Sequence, residues 1–389
     1  MKLIVSVEPI RNPLTGIGRY TLELLKHLQR NPAIEEIRYF SDGHVAPQIP
    51  DPARRTSGRA HTVTHAAKCF LARQHLSRRL YRYGADSRNR RELEAFGDWV
   101  YHGPNFYVPP VPGPAVATFH DLSVLTMPDF HPVERVRFMS EEIAAALRRV
   151  SMIITDSDFV RGEVMKLFSW PADRVRTVHL AASAAFHPRH PHELAPTLEH
   201  HGLQIGGFCL YAGTIEPRKN LIRLLTAYEQ LEPKLREKFP LVLAGLNGWR
   251  NHEILARIRS AEQRGWAKYL GYVDDAELPM LFAGARLFVY PSLHEGFGLP
   301  VLEAMASGTP VVCSNSSSLP EVAGRAAAMV EPEDVDALTR QIARGLECTE
   351  WRTSAAAAGI RQATRFSWNR CAAETANVYF SALRWRDLA

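Results

Sequence analysis

"HEGFGLPVLEAMASGTPVV" occupies residues 294–312 and sets a glycine-broken loop before an apolar helix and a short strand. Pro300 suits the first helical turn, where an N–H has no intrahelical acceptor. Gly296 and Gly298 let the backbone approach a ligand closely. A loop that opens a helix N-terminus suits an anion, because the dipole and free N–H groups point outward there. Yet Glu295 precedes this helix and Glu303 is expected in its first turn. A carboxylate aimed at an anion site is unfavourable unless it accepts hydrogen bonds from hydroxyls held there. Sugar and ribose hydroxyls are such donors, so the pair points to a phosphorylated sugar ligand. The plainer reading keeps Glu303 as a complement to the helix dipole and Glu295 as a loop acid.

The same strand, loop and helix order runs outward in both directions. "FCLYAG", "PLVLAG", "AKYLGYV", "RLFVYPS" and "PVVCS" read as strands, separated by the helical patterns "NLIRLLTAYEQL", "NHEILARIRSAEQRG" and "DAELPMLFAGA". Towards the N-terminus, "KLIVSV", "IRYF", "DWVYHG", "AVATFH", "SMIITDS" and "VRTVHL" read as strands. "GRYTLELLKHLQR", "ERVRFMSEEIAAALRRV" and "DFVRGEVMKLF" read as helices. Continuous apolar strands alternating with helices predict an α/β protein of parallel sheets covered on both faces. At 389 residues the chain is too long for one ordinary core. The expected division is a Rossmann-like domain over 1–188, a linker over 189–206 and a second Rossmann-like domain over 207–365. The linker falls in "FHPRHPHELAPTLEHHGLQIGG", which is rich in Pro, His and Gly and shows no periodicity.

Composition is globular, with 46% hydrophobic and 23% charged residues. No apolar run approaches the length needed to span a bilayer. "MKLIVSVEPI" reads as a first strand and not as a signal peptide. Five scattered cysteines without CxxC spacing fit a reducing cytoplasm. The net charge of +6 is unevenly placed. Residues 54–91 interleave Arg54, Arg55, Arg59, Lys68, Arg73, Arg78, Arg79 and Arg82 with Phe70, Leu71, Leu76, Leu80 and Tyr81. Such a segment suits an anionic membrane or an anionic substrate, although a solvated arginine-rich helix has the same pattern.

Doubly wound sheets bind ligands beyond the carboxyl ends of their strands. After "FCLYAG" comes "TIEPRKN", with Gly213, the cations Arg218 and Lys219, and Asn220 where a helix opens. Two cations at a helix N-terminus make a diphosphate site, unless they are solvated turn residues beside an Asn N-cap. Gly16 and Gly18 do not complete GxGxxG, which disfavours a nicotinamide site. Asp274 and Asp275 read as a helix N-cap with acidic company, not as a metal motif. His61 and His65 stand at i, i+4 spacing but lack the Glu of a zinc helix.

Together these segments resemble the retaining GT-B glycosyltransferases of family 4. Glu295 and Glu303 bracket seven residues as in that family's EX7E segment, with "GFGLP" inside and "EAMASGTPVV" following. "GTIEPRKNL" is similar to its basic diphosphate loop and "TGIGRYTLELLKHL" to its N-terminal glycine loop. "TFHDLS" resembles its first-domain histidine segment, and "LPEVAG" and "FSWNRCAAETANVY" its later ones. The resemblance covers nearly the whole chain. It implies two Rossmann-like domains facing a deep cleft, with 366–389 packing back toward the N-terminal domain.

The resemblance also implies residue roles. Arg218 and Lys219 neutralise the donor diphosphate, the work a metal does elsewhere, so no metal and no other cofactor is expected. Glu303 bonds the ribose and Glu295 holds the donor sugar near the reacting carbon. Backbone amides of Phe297, Gly298 and Leu299 contact sugar and phosphate, and Gly16 closes on the phosphates from the opposite domain. Gly213, ahead of the diphosphate loop, is donor-binding; His120 orients the transferred sugar, with a satisfied histidine at a strand end as its plainer reading; and Val273 borders the nucleobase.

The implied activity is retaining, metal-independent hexosyl transfer from a nucleotide sugar, favoured as GDP-mannose or a GDP-deoxyhexose. The acceptor would be a saccharide, polyprenyl-diphosphate-linked, in bacterial O-antigen or exopolysaccharide synthesis, with the enzyme peripheral at the inner face of the inner membrane. No nucleic-acid partner is expected. A UDP-sugar donor, a sugar-nucleotide epimerase or phosphorylase of the same fold, and a non-catalytic assembly subunit remain as alternatives.

Overall fold

The computed structural model describes residues 1–11, 14–49 and 75–386, without the side chains of 75–83 and 386. The basic segment 54–91 and the pair His61 and His65 therefore lie largely or wholly outside the described residues.

Two sheets organise the molecule. The first has the order β3-β2-β1-β4-β5-β6-β7, from β1 (Lys2–Ser6), β2 (Glu36–Ser41), β3 (His44–Ala46), β4 (Val100–Gly103), β5 (Ala115–Phe119), β6 (Met152–Thr155) and β7 (Val175–Thr177). The second has the order β10-β9-β8-β11-β12-β13, from β8 (Cys209–Ala212), β9 (Leu241–Ala244), β10 (Ala267–Gly271), β11 (Leu287–Tyr290), β12 (Val311–Ser314) and β13 (Ala328–Val330). Every pairing is parallel except the β2–β3 hairpin. β3 and β13 have three residues each and left no readable pattern in the sequence. The central strands β4, β5, β6, β8, β9, β11 and β12 are buried along their whole length, which is why they read as unbroken apolar runs.

Strand order decides where a ligand can sit. In the second sheet β8 lies between β9 and β11, so the winding reverses there and the loops after β8 and β11 diverge around a crevice. The loops after β1, β5 and β6 of the first sheet meet those after β8, β10 and β11 of the second. Ser157 Oγ donates to the Gly296 carbonyl at 2.6 Å, and Trp249 Nε1 donates to the Phe130 carbonyl at 2.8 Å. Glu321, from "LPEVAG", accepts the amides of Asp158 and Phe159. A carboxylate of the second domain thus caps a helix of the first, Asp158–Phe168.

The stretch 186–207, aperiodic in sequence, contains the helix Pro191–His200. Proline at its start and a reciprocal capping box between His190 and Glu193 begin it. Its apolar side is only Leu194 and Leu198, too little to register as a period. Leu198 packs against Gly284, where a Cβ would stand 2.8 Å from Leu198 Cδ1.

The last helix, Trp368–Arg386, lies on the helix Gly16–Leu28 and on β4, β5 and β6 of the first sheet. Tyr379 anchors it: its hydroxyl bonds His102 Nδ1 at 2.7 Å, and His102 Nε2 bonds Thr118 Oγ1 at 2.9 Å. Burial depresses the His102 imidazole to about 3, so it is neutral, with one nitrogen donating and the other accepting. Tyr379→Phe leaves one buried ring nitrogen without a partner. It is expected to destabilise the protein by about 1–3 kcal/mol, read as a lowered urea midpoint; an unchanged midpoint would show that this hydrogen bond does not hold the helix.

Candidate active site

The site is built at the junction of two loops. After β8 the chain turns through Pro217–Lys219, a single 3₁₀ turn, and enters the helix Leu221–Glu229. Arg218 and Lys219 are 9% and 7% exposed, so they are not solvated turn residues. Asn220 stands at the N-cap position of that helix, but its side chain makes no capping hydrogen bond. It sits in the left-handed region at φ 60°, and its amide donates to the carbonyls of Pro291 and Pro332. That ties the basic turn to the loop after β11.

That second loop supplies the partner. Lys219 Nζ donates to Glu295 Oε1 at 2.6 Å and to Tyr290 Oη at 2.8 Å. Arg218 Nη1 stands 3.4 Å from Glu295 Oε2, and its Nη2 donates to Glu216 at 2.8 Å. Burial raises the Glu295 carboxyl, but Lys219 and Arg218 outweigh it and hold the group at about 2. Burial and the neighbouring Arg218 push Lys219 downward. Asp121, after β5 in the other domain, adds a negative charge that acts on Arg218. The site therefore brings together Arg218, Lys219 and Glu295, with Glu216, Tyr290 and Asp121 joining them. The last three went unread in the sequence, although Glu216 adjoins the basic turn and Asp121 follows His120 in "TFHDLS".

Two glycines shape the helix entry. Gly298 takes φ 103° as the residue before the helix Leu299–Ala306, and a Cβ there would lie 2.5 Å from Leu319 Cδ2. Gly296 packs on the first domain so closely that a Cβ would fall 1.6 Å from the His120 carbonyl oxygen. The amides of Phe297, Gly298 and Leu299 meet no acceptor among the described residues. Unpaired donors at a helix start form an anion cradle. Pro300 stands in the first turn as expected, but Glu303 lies beyond it, because the helix starts at Leu299.

Glu303 is 4% exposed, and its carboxyl has no hydrogen bond among the described residues. Arg19 Nη1, from the helix Gly16–Leu28 of the other domain, is its ion-pair partner at 4.0 Å. Burial raises the Glu303 carboxyl to about 7, with Arg19 opposing and Asp275 adding to the rise. Asp275 is not a helix cap: the residue before the helix Leu278–Gly284 is Glu277, and Asp275 instead pairs with Arg19 across the cleft. Val273, beside it, is buried, and its amide and carbonyl have no partner among the described residues.

The other expected residues fall as follows. Gly16 is exposed at the start of its helix, with open space where a Cβ would stand. The Gly213 amide donates to the Ala244 carbonyl, so this residue ends the strand and leaves no free donor. The His120 ring, expected to orient the sugar, is committed inside its own domain. Nδ1 lies 2.6 Å from Asp156 Oδ2 and Nε2 lies 2.8 Å from the Pro104 carbonyl. Both nitrogens face acceptors, and the ring pKa is raised: burial lowers it, but Asp156 and the Pro104 carbonyl more than compensate. His120 reaches the second domain through its carbonyl instead, against Gly296. Among the described residues His200, His201 and Glu277 group at metal-ligand spacing, a cluster the sequence did not suggest.

Known proteins place this geometry. Residues 206–362 match the family described as glycosyl transferases group 1. The chain is 45% identical to O-antigen chain mannosyltransferase B of Escherichia coli, over 97% of its own length and 99% of that protein. It is 34% identical to the serotype-specific mannosyltransferase WbdA of Escherichia coli, over 66% of this chain and 32% of that one. A sucrose-phosphate synthase from Thermosynechococcus elongatus superposes with a TM-score of 0.68 at 17% identity, covering 98% of each chain. HepE of Anabaena, in complex with UDP and glucose, superposes at 0.69 and 16% identity, covering 98% of this chain and 100% of that one. These two likenesses establish the GT-B architecture. The full-length relationship goes further: the chain belongs to the group 1 glycosyltransferases.

Proposed function

We propose that this glycosyltransferase is a retaining mannosyltransferase of O-antigen synthesis, using a GDP-linked donor and a saccharide acceptor carried on a polyprenyl diphosphate. The observation that carries the reading is the 45% identity to O-antigen chain mannosyltransferase B across 97% of the chain. The buried cluster of Arg218, Lys219 and Glu295 supports a catalytic role over that of a silent assembly subunit. The GDP-deoxyhexose and UDP-sugar alternatives are separated by a panel of nucleotide sugars in a thermal-shift assay, since the bound donor raises apparent stability. The proposal fails if GDP-mannose neither binds nor yields a glycosylated product.

In this reading the donor diphosphate lies between Arg218, Lys219 and the amides of Phe297, Gly298 and Leu299, with Gly16 approaching from the other domain. Gly213 and Val273 border the donor at the strand ends. As the bond from the anomeric carbon to the phosphate oxygen breaks, negative charge grows on the leaving diphosphate, where fixed cations stabilise it most. The acceptor hydroxyl attacks from the same face, and its proton passes to the departing phosphate oxygen. A covalent route through Glu295 is disfavoured, because a carboxylate held at about 2 by two cations is a weak nucleophile. Arg218 and Lys219 supply the positive charge that a metal provides elsewhere, so we propose no metal in the donor site. His120 supports the site from behind Gly296.

No described helix is long and apolar enough to cross a membrane. We place the enzyme peripherally at the inner face of the inner membrane, where the acceptor lipid would present its saccharide.

Removing one partner of the ion cluster strands a buried charge, so conservative variants are the informative ones. Lys219→Met and Glu295→Gln should lower kcat by about 10²–10³-fold with an unchanged circular dichroism spectrum; full turnover in either would remove these residues from the site. Activity should persist in excess EDTA, and a rate abolished by chelation and restored by a divalent ion would sink the metal-free mechanism. Glu303 predicts a pH effect on stability. Its pKa is raised from 4.5 to about 7 on folding, so its contribution to stability falls as pH rises through that window. Glu303→Gln lacks this penalty. Its unfolding free energy relative to the native protein, read from urea melts, should rise from about pH 4.5 to a plateau above about pH 7, by up to roughly 3 kcal/mol. A difference independent of pH would contradict the buried carboxyl.

A further inference from the structure

Arg19 belongs to the first domain, yet its guanidinium faces two acids of the second. One nitrogen pairs with Asp275 and the other stands 4.0 Å from Glu303. Its backbone is fixed: Arg19 sits in the first turn of the helix Gly16–Leu28, where Thr15 Oγ1 caps Gly18. Gly18 packs so that a Cβ would lie 2.7 Å from the Pro9 carbonyl oxygen. The Arg19 side chain is 25% exposed, partly withdrawn from water, so its charge is only partly screened.

Glu303 has little else to rely on. It is buried on the helix Leu299–Ala306, an element that packs against helices Leu319–Ala323, Thr349–Ala363 and Leu278–Gly284 and strands β11 and β12. Among the described residues, Arg19 and Asp275 are the charged groups that act on it. The two pull in opposite directions: the cation favours the carboxylate and the neighbouring anion disfavours it. Protonation turns one carboxyl oxygen into a donor and removes the charge, so the acid receives the two hydroxyls of a vicinal diol more weakly than the carboxylate does.

We propose that Arg19 is a positioning residue for the donor, acting from the opposite domain to keep Glu303 in the carboxylate form that accepts the ribose hydroxyls. The inference rests on the assignment of Glu303 to the donor nucleoside. It couples domain closure to recognition. Arg19 reaches Glu303 only when the two domains are together, so the carboxylate is a strong acceptor in the closed enzyme and a weak one in the open enzyme. Asp275 holds the guanidinium in place while opposing its effect on Glu303, which keeps the switch near neutrality.

The test is GDP-mannose binding by calorimetry from about pH 5.5 to about pH 9, using the full chain; this diester has no phosphate titrating in that range. In the native protein affinity should rise through about pH 7. Arg19→Gln should move the midpoint upward by about one unit, weakening binding about fivefold at pH 7 and little at pH 9. Asp275→Asn should move it downward, and Arg19→Lys should restore most of the native profile. Glu303→Gln should flatten the curve. Opposite shifts for Arg19→Gln and Asp275→Asn support the proposal, because a merely structural clasp would weaken binding in both at every pH. Parallel, pH-independent losses overturn it. Failure of the native protein to bind GDP-mannose at any pH would instead overturn the donor assignment.

Discussion

Lys219 and Arg218 close on Glu295 in a site that excludes water, although 76 and 77 residues of chain separate them. The pairing exists because β8 and β11 are hydrogen-bonded neighbours, with Leu287 opposite Cys209 and Phe288 opposite Leu210. Their loops must then leave the sheet side by side. Burying two cations and a carboxylate is unfavourable one at a time, and becomes tolerable only when each neutralises the other. Glu216 and Asp121 act on Arg218 as well, so within the cluster the carboxylates answer both cations. A diphosphate entering the crevice meets charges already in place.

Around that cluster the second domain presents two further kinds of acceptor and donor. The free amides at the start of Leu299–Ala306 suit phosphate oxygens, and the buried Glu303 suits hydroxyls. A nucleotide sugar has both chemistries, whereas free phosphate or a simple sugar has only one. The first domain adds the charge of Asp121 beside Arg218. It supplies Gly16, the His120 carbonyl against Gly296, and the long reach of Arg19. Contacts between the domains occur at several loops, among them Glu321 on the helix Asp158–Phe168 and Trp249 on Phe130. These contacts between the domains are polar, while the continuous apolar core runs through the sheets and the C-terminal helix.

His120 shows how a motif can be right in place and incomplete in detail. "TFHDLS" put the residue at the end of β5, facing the second domain. The sequence did not say that Asp156 and the Pro104 carbonyl would take both ring nitrogens. Asp274 and Asp275 show a related limit. Acidic residues before a helical pattern are usually caps, but Arg19 offers Asp275 a full charge instead of a weaker helix dipole.

What the sequence by itself determined is local. Apolar runs bounded by glycine and followed by helical periods specify parallel strands and their helices, because a strand buried on both faces must be apolar throughout. The basic turn, the bracketed glycine loop and the order of segments specify the family. Tertiary structure decided what no local pattern encodes. Short edge strands such as β13 depend on a neighbour for their hydrogen bonds, and the helix Pro191–His200 depends on Gly284 for its packing. The ionisation of Glu295 and Glu303 was decided the same way. Both are glutamates in one short motif, yet one is driven to the carboxylate by two cations and the other toward the acid by burial. Their difference lies in which charges the fold brings within reach, and those charges come from distant loops and from the other domain.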